Sequence, residues 1–262
     1  MKIVKNIFIP LAFWLLVWQA AAWLVGSRVQ GAWVFQESLL LLPGPWTVLK
    51  TLAGLAVTMW FWQITLLTLV RIFGGMLAGV VLGSVIAALT CTNVWCDRIL
   101  SPAVKIIRAT PVASFILLIF LWVSTGRVPG VISALMVLPV IWGNVSKGIR
   151  ETDPQLLELA HAYRFGKGKT LRRIYIPSVA PYFSAGVETG LGLAWKAGVA
   201  AEVLCHPRLA IGTQIFYSKT YLETPDLFAW TLVVILLSLL VETGLVWLLR
   251  KGGRRHGANR AT

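Results

Sequence analysis

Three ionisable residues, Glu188, Lys196 and Glu202, stand in a stretch from Tyr182 to Leu204 that is otherwise mostly apolar. Carboxylates and an ammonium in such a setting can bind a charged solute, relay protons, or pair across a helix interface. At about 100° per residue, with Glu188 as zero, Lys196 falls near 80° and Glu202 near −40°. Ser184, Gly192, Trp195 and Val199 share that arc, so the stripe mixes charge with small and bulky residues. An ionised group at the centre of a membrane helix costs about 2.5–3.5 kcal/mol, against about 0.3–0.6 gained per Leu or Val. A helix carrying these groups is expected to be central, with its charges turned to protein or water and not to lipid. Two readings stay open: a candidate pathway for a charged solute, and a buried polar interface that touches no solute.

Other chemistries drop out. Gly166-Lys167-Gly168-Lys169-Thr170 imitates a phosphate-binding loop, but Tyr163 stands where that pattern needs its first glycine. Cys91, Cys96 and Cys205, with His161, His206 and His256, are too scattered for a metal site or a disulfide framework. Neither HExxH nor GxSxG occurs, so no catalytic residue is assigned and no enzyme is expected.

The elements that position the charged stripe are membrane helices. Hydrophobic residues make up 57% of the 262 and charged residues 13%, too few for the surface of a soluble domain. The 13 Trp and 5 Tyr suit two membrane–water interfaces. The net charge of +14 does not form one patch, which argues against a nucleic-acid partner. About 20 apolar residues are needed to cross a bilayer, and six stretches qualify. They are Ile7–Val25, Ile64–Thr90, Ile106–Val123, Val131–Val145, Tyr182–Leu204 and Leu227–Leu249. The fourth is short and holds Pro139; the third holds Pro111, and proline kinks a helix. The first could be a signal peptide behind Lys2 and Lys5, but its run through Trp23, Leu24 and Val25 is long for one. In the second, Gly75, Gly79 and Gly83 share one face and predict close packing on another helix.

Charge sets the orientation. Seventeen of the 24 Lys and Arg fall on the side that holds the N-terminus and six on the other, which predicts two cytoplasmic termini. The fold expected is an all-α polytopic bundle of about six spans. Residues 1–63 form the first span and an outer loop, with a turn at Leu42-Pro43-Gly44-Pro45 that starts a short outer element. Residues 64–249 form the main membrane domain, and 250–262 a basic cytoplasmic tail expected to lack order.

The cytoplasmic loop Ser146–Pro177 is the most specific segment. Asp153-Pro154 reads as an N-cap with proline at the first helical position. Gln155–Phe165 then forms a short helix with Glu158, Ala160 and Ala162, stopped by Gly166, and a basic run Lys167–Arg173 follows. A basic loop can simply rest on anionic lipid. A capped helix with small residues also suits docking into a groove of another protein.

Glu158-Leu159-Ala160 with Ile174-Tyr175-Ile176-Pro177 resembles the "EAA" loop of inner-membrane permeases of ATP-binding-cassette importers, including its spacing from Glu158 to Pro177. Arg108-Ala109-Thr110-Pro111 resembles a further element of that family. Leu193-Ala194-Trp195-Lys196-Ala197, with Ala201-Glu202, resembles its nitrate, sulfonate, taurine or pyrimidine-precursor branch. The resemblance implies that Glu158, Leu159, Ala160, Gly166, Ile174 and Pro177 belong to an ATPase-coupling loop. Glu188, Lys196 and Glu202 are then a candidate translocation pathway. It further implies a homodimer in the bacterial inner membrane, in contact with lipid, two cytoplasmic ATPase subunits and an extracytoplasmic substrate-binding protein. ATP would sit on the ATPase, so no cofactor is expected on this chain. The solute would be small and anionic. Two departures are plain: Arg164 stands at the family's glycine six residues after Glu158, and Leu159 replaces its first alanine. A differently shaped turn is therefore expected there. The alternative, an ion-coupled secondary transporter, is disfavoured by six spans without an internal repeat.

Overall fold

The computed structural model describes residues 2–28 and 42–258, so Arg260, one of the basic residues counted above, and the last residues of the tail lie outside it. Every regular element among them is helical. In chain order these are α1 (Lys2–Arg28), α2 (Pro45–Ala56), α3 (Met59–Thr92), α4 (Val94–Ala109), α5 (Val112–Phe120) and α6 (Val128–Arg150). There follow α7 (Pro154–Ala162), α8 (Lys167–Thr170), a π-turn (Leu171–Tyr175), α9 (Ile176–Cys205), α10 (Ile211–Thr220) and α11 (Thr224–Ala258). Of these, α3, α6 and Thr224–Gly244 of α11 are each long and apolar enough to cross a bilayer. Counting α4 and α5 together adds a fourth, bent span. Of the other two predicted spans, the first falls on α1, whose apolar part is Ala12–Val25. The fifth falls on α9, which at 30 residues and about 1.5 Å per residue is long enough but carries the three charges.

The glycine face is the centre of the bundle. A Cβ built on Gly75 would stand 1.9 Å from the carbonyl oxygen of Gly130, one on Gly79 2.5 Å from that of Ala134, and one on Gly83 2.7 Å from that of Leu138. The matching increments make α3 and α6 parallel, backbone against backbone. Gly186 meets Asn144 and Gly190 meets Val137, so α9 runs antiparallel to α6. Ser133 fastens the pair, its hydroxyl donating to the carbonyls of Pro129 (2.8 Å) and Ala194 (3.1 Å). Ile72, Val137, Ile141, Leu191 and Trp195 fill the middle, and the Trp195 indole donates to the carbonyl of Val234 on α11 at 3.2 Å. Thr92, Arg150 and Ile176 thus share one end of the bundle, beside α7, while Met59, Val128 and Cys205 share the other.

Four expectations about the elements change. The predicted third span is not one helix: Thr110 and Pro111 are extended (ψ 133° and 134°), and α4 meets α5 at 106°. The residue before proline is pushed out of the helical region, and here no helix resumes the old direction. The fourth span is longer than its apolar core, 23 residues, and runs through Pro139 without a break. The start of the predicted tail continues α11 to Ala258, where a basic sequence suits the negative end of a helix dipole. The helix of the cytoplasmic loop stops at Ala162 and not at Gly166. The outer turn does start an element: α2 begins at Pro45, in its first turn.

Candidate functional site

The loop helix α7 starts as its sequence dictates. The Asp153 carboxylate accepts from the Gln155 N–H at 2.8 Å, and Pro154 occupies the position that needs no donor. Its end is a six-to-one turn: the Phe165 N–H donates to the Ala160 carbonyl (2.8 Å) and the Arg164 N–H to that of His161 (3.0 Å). Arg164 has φ 50°, the left-handed conformation that glycine adopts most freely. The position where the family has glycine thus takes, with an arginine, a backbone conformation that glycine adopts freely. Gly166 is extended (φ −66°) and caps α8. A non-glycine residue in this region costs roughly 1 kcal/mol or more. Arg164→Gly is expected to stabilise the turn by up to about 1 kcal/mol, offset in part by the freedom it adds to the unfolded chain. Arg164→Val should be destabilising, because a β-branched residue tolerates positive φ worst. Thermal melts of the two purified variants check the signs.

On α7, Ala160 is buried within the chain while Leu156, Leu159 and Tyr163 are exposed. The spacing of three and four puts those three side chains on one face. Glu158 is also exposed, on the flank. Ile174 is buried in the π-turn, and Pro177 lies in the first turn of α9. Pro177 has no N–H for the Arg173 carbonyl, which accounts for the widened turn just before it. The base of the loop is tied down by polar contacts. The Tyr182 hydroxyl donates to Glu151, Lys147 pairs with Glu151 at 3.8 Å, and Arg150 meets Asp97 at 4.0 Å. Gly148 makes room for Tyr182, whose ring would lie 2.9 Å from an added Cβ.

The charged stripe of α9 is split down the middle. Glu202 is fully buried, with Trp195 and Val199, whereas Glu188 and Lys196 are exposed. Ala185, Glu188, Thr189, Leu193, Lys196 and Ala200 form one continuous open face. Lys196 makes no ion pair among the described residues. Next to this face lies a cavity of about 620 Å³ between the α4–α5 break, α6 and α9. Arg108, Thr110, Pro139, Asn144, Lys147 and Thr189 border it. Both prolines of the sequence reading thus sit at or beside open space, where backbone freed from helical bonding can be tolerated within a membrane.

Glu202 does different work. Its Oε2 accepts from the Thr68 hydroxyl and from the Gly212 N–H, both at 3.1 Å, and Thr68 in turn accepts from the Ile211 N–H at 3.1 Å. One turn along α3, the Arg71 guanidinium donates to the carbonyls of Arg208 and Leu209, each at 3.0 Å. These contacts hold the α9–α10 loop, where His206 and Leu209 have positive φ (49° and 51°). Glu202 is a buried anchor for that loop and does not share an open face with Lys196. Sequence reasoning missed Thr68 and Arg71, since a lone threonine and a lone arginine in an apolar run carry no pattern of their own. Arg108 was noted only as part of a motif, and the cavity that it borders forms only on folding.

The family model described as "Binding-protein-dependent transport system inner membrane component" matches residues 79–252. The chain is 25% identical to the taurine transport system permease protein TauC of Escherichia coli, over 84% of this chain and 82% of the relative. It is 25% identical to a putative aliphatic sulfonates transport permease protein, SsuC, of Bacillus subtilis, over 82% and 78%. The same identity holds for the bicarbonate transport system permease protein CmpB of Synechococcus elongatus, over 72% and 68%. Among solved structures, one titled "Crystal structure of an amino acid ABC transporter with histidines" superposes with a TM-score of 0.62 at 17% identity. It covers 79% of this chain and 96% of its own.

Proposed function

The chain belongs to the family of inner-membrane components of binding-protein-dependent transport systems, and from that membership we propose how this permease is oriented, coupled and loaded. It is a multi-pass inner-membrane protein, the permease subunit of an ATP-driven importer, and not itself an enzyme. The α7 end faces the cytoplasm and both termini lie there, a reading supported by the 17-to-6 basic asymmetry. A reporter active only outside the membrane is expected to work when fused within Pro207–Thr224 and to fail after Arg254. The reverse pattern would invert the protein.

Helix α7 docks on an ATPase subunit, which holds the ATP. An amphipathic helix whose apolar face is open to water suits a groove on a partner. The opposite end, with its anchored α9–α10 loop, receives the substrate-binding protein. Residues 64–249 act as the permease domain, with 1–63 as a peripheral first span and 250–262 as a basic extension.

The observation that carries the transport reading is the open face of α9 beside a basic cavity. Glu188, Thr189 and Lys196 cannot face hydrocarbon cheaply, so that face lines a water-filled path or meets a second copy of the chain. A homodimer with the path between its two α9 helices satisfies both. The solute is a small anion. Arg108 and Lys147 border the cavity with no carboxylate among the residues that line it. The relatives named for taurine, aliphatic sulfonates and bicarbonate handle solutes bearing a negative group. The role of Lys196 is to offer that anion an ammonium within the membrane. Lys196→Met keeps much of the apolar stem and removes the charge. Expected in proteoliposomes is normal assembly with the ATPase and uptake reduced at least tenfold. Assembly and uptake equal to the parent would make Lys196 a packing residue. Uptake that needs ATP, ATPase and binding protein together also separates this reading from ion-coupled transport.

A further inference from the structure

A second cavity, of about 450 Å³, lies at the α7 end of the bundle, away from the path just described. Its walls are almost entirely carbon, from Ala88 and Cys91 of α3, Ile149 of α6, and Val179, Ala180 and Phe183 of α9. Leu171 and Tyr175, the two ends of the π-turn, close one side. A cavity of this size is ample for part of a small apolar ligand. On the angular scale used above, Ile176, Ala180 and Phe183 lie near −120°, −80° and −140°, on the side of α9 opposite Glu188 and Lys196. The slot opens on the outside of the described bundle, where Ala88, Thr92, Leu171, Ile176 and Ala180 are exposed. Its depth is also defined: Thr92 and Ile176, which border it, are terminal residues of α3 and α9, and Ile149 is next to the last of α6. Helix ends are where spans leave the hydrocarbon, so a slot at this depth suits the upper part of an acyl chain next to its headgroup.

The π-turn that walls the cavity also carries positive charge. Arg172 and Arg173 stand between the two π-turn residues that wall the cavity, both exposed, and Lys167 and Lys169 precede them on α8. Basic pockets between membrane helices on the cytoplasmic side suit anionic headgroups, and an apolar slot beneath suits the chain attached to one. We infer that this cavity holds an acyl chain of an anionic phospholipid whose headgroup is bound by Arg172 and Arg173. The inference rests on the orientation proposed above, since it is the cytoplasmic leaflet that supplies anionic lipid. The lipid wedges the π-turn against the ends of α3 and α6. It thereby braces the segment that joins α7 to α9, the route by which movement of α7 would reach the path.

The test is native mass spectrometry of the full chain purified in detergent and titrated with phosphatidylglycerol or phosphatidylcholine. Expected is one tightly retained phosphatidylglycerol per chain, with phosphatidylcholine at least tenfold weaker. R172Q/R173Q should remove that preference. Ala88→Phe, which fills the slot and leaves the charges, should weaken both lipids. Glycerol phosphate should not compete, because the acyl chain is part of the site. Equal retention of the two lipids, retention unchanged by either variant, or displacement by glycerol phosphate would each overturn the proposal. A slot covered by the ATPase or a second copy would show as lipid lost on assembly, and would overturn it too. ATP-driven uptake by the same preparation is read in parallel, so an importer without the lipid site is distinguished from a failed importer reading.

Discussion

Gly75→Ala is expected to destabilise the protein by at least about 3 kcal/mol, although alanine is the better helix former. On propensity alone, glycine to alanine inside a helix gains roughly 1 kcal/mol. Here the new methyl would stand 1.9 Å from the Gly130 carbonyl oxygen, and the obstacle is backbone that no rotamer change can clear. Overpacking a tight interior typically costs about 1–3 kcal/mol, and this contact lies at or beyond that range because α3 and α6 must separate along their length. Separation also loosens the packing at Gly79 and Gly83, and with it the wall of the cavity formed by α6. Gly74→Ala is the control: nothing lies within 4 Å of its added Cβ, so it should be neutral or slightly stabilising. Thermal melts in detergent read both. Equal melting of the two variants would mean that α3 and α6 do not pack as described.

The second large effect is expected at the exposed face of α7. Leu159 is 51% exposed and Leu156 42%, and with Tyr163 they form the apolar stripe that the proposed docking would set against the ATPase. Residues that anchor such an interface commonly cost about 2 kcal/mol or more when lost, roughly a thirtyfold weakening. An added charge left buried at the contact costs more still. Leu159→Asp should therefore abolish co-purification of the ATPase and ATP-driven uptake while the membrane domain melts as the parent does. His161→Ala, on the other side of the helix, should retain both. Ala160 is the wrong residue for this test. It is buried within the chain, so a bulky charge there would damage the loop before it reached any partner. ATPase binding that survives Leu159→Asp would remove α7 from the coupling route.

Much of the local structure is written in short runs of residues. Asp153-Pro154 starts α7 where cap chemistry requires it, and the four-residue spacing of Gly75, Gly79 and Gly83 marks a helix–helix contact. The end of α7 was harder to see. A glycine stop was expected at Gly166, yet the chain turns two residues earlier on Arg164, because two backbone hydrogen bonds close that turn and bear the cost of positive φ. The break at Thr110-Pro111 was visible as a proline, but its angle of 106° was not. Proline removes one backbone bond and constrains its neighbour; the direction of the next helix depends on what it packs against. For α5 that is Ile116 among Val128, Ile132, Ala197 and Ala201.

By itself, then, the sequence determined the membrane class, the helical content and the loop helix, since hydropathy and capping act over neighbouring residues and need no partner. Helical periodicity also set the angles of Glu188, Lys196 and Glu202 around α9. It could not say where on that circle the bundle ends and open space begins. Tertiary structure drew that boundary between Glu202 and Lys196, because α3 and the α10 start close over one arc and leave the other bare. Thr68 and Glu202 are 134 residues apart in the chain, and no local rule pairs them. A buried carboxylate needs donors wherever the fold brings them, and only the packing of α3, α9 and α10 decided that a hydroxyl and a backbone N–H would meet it.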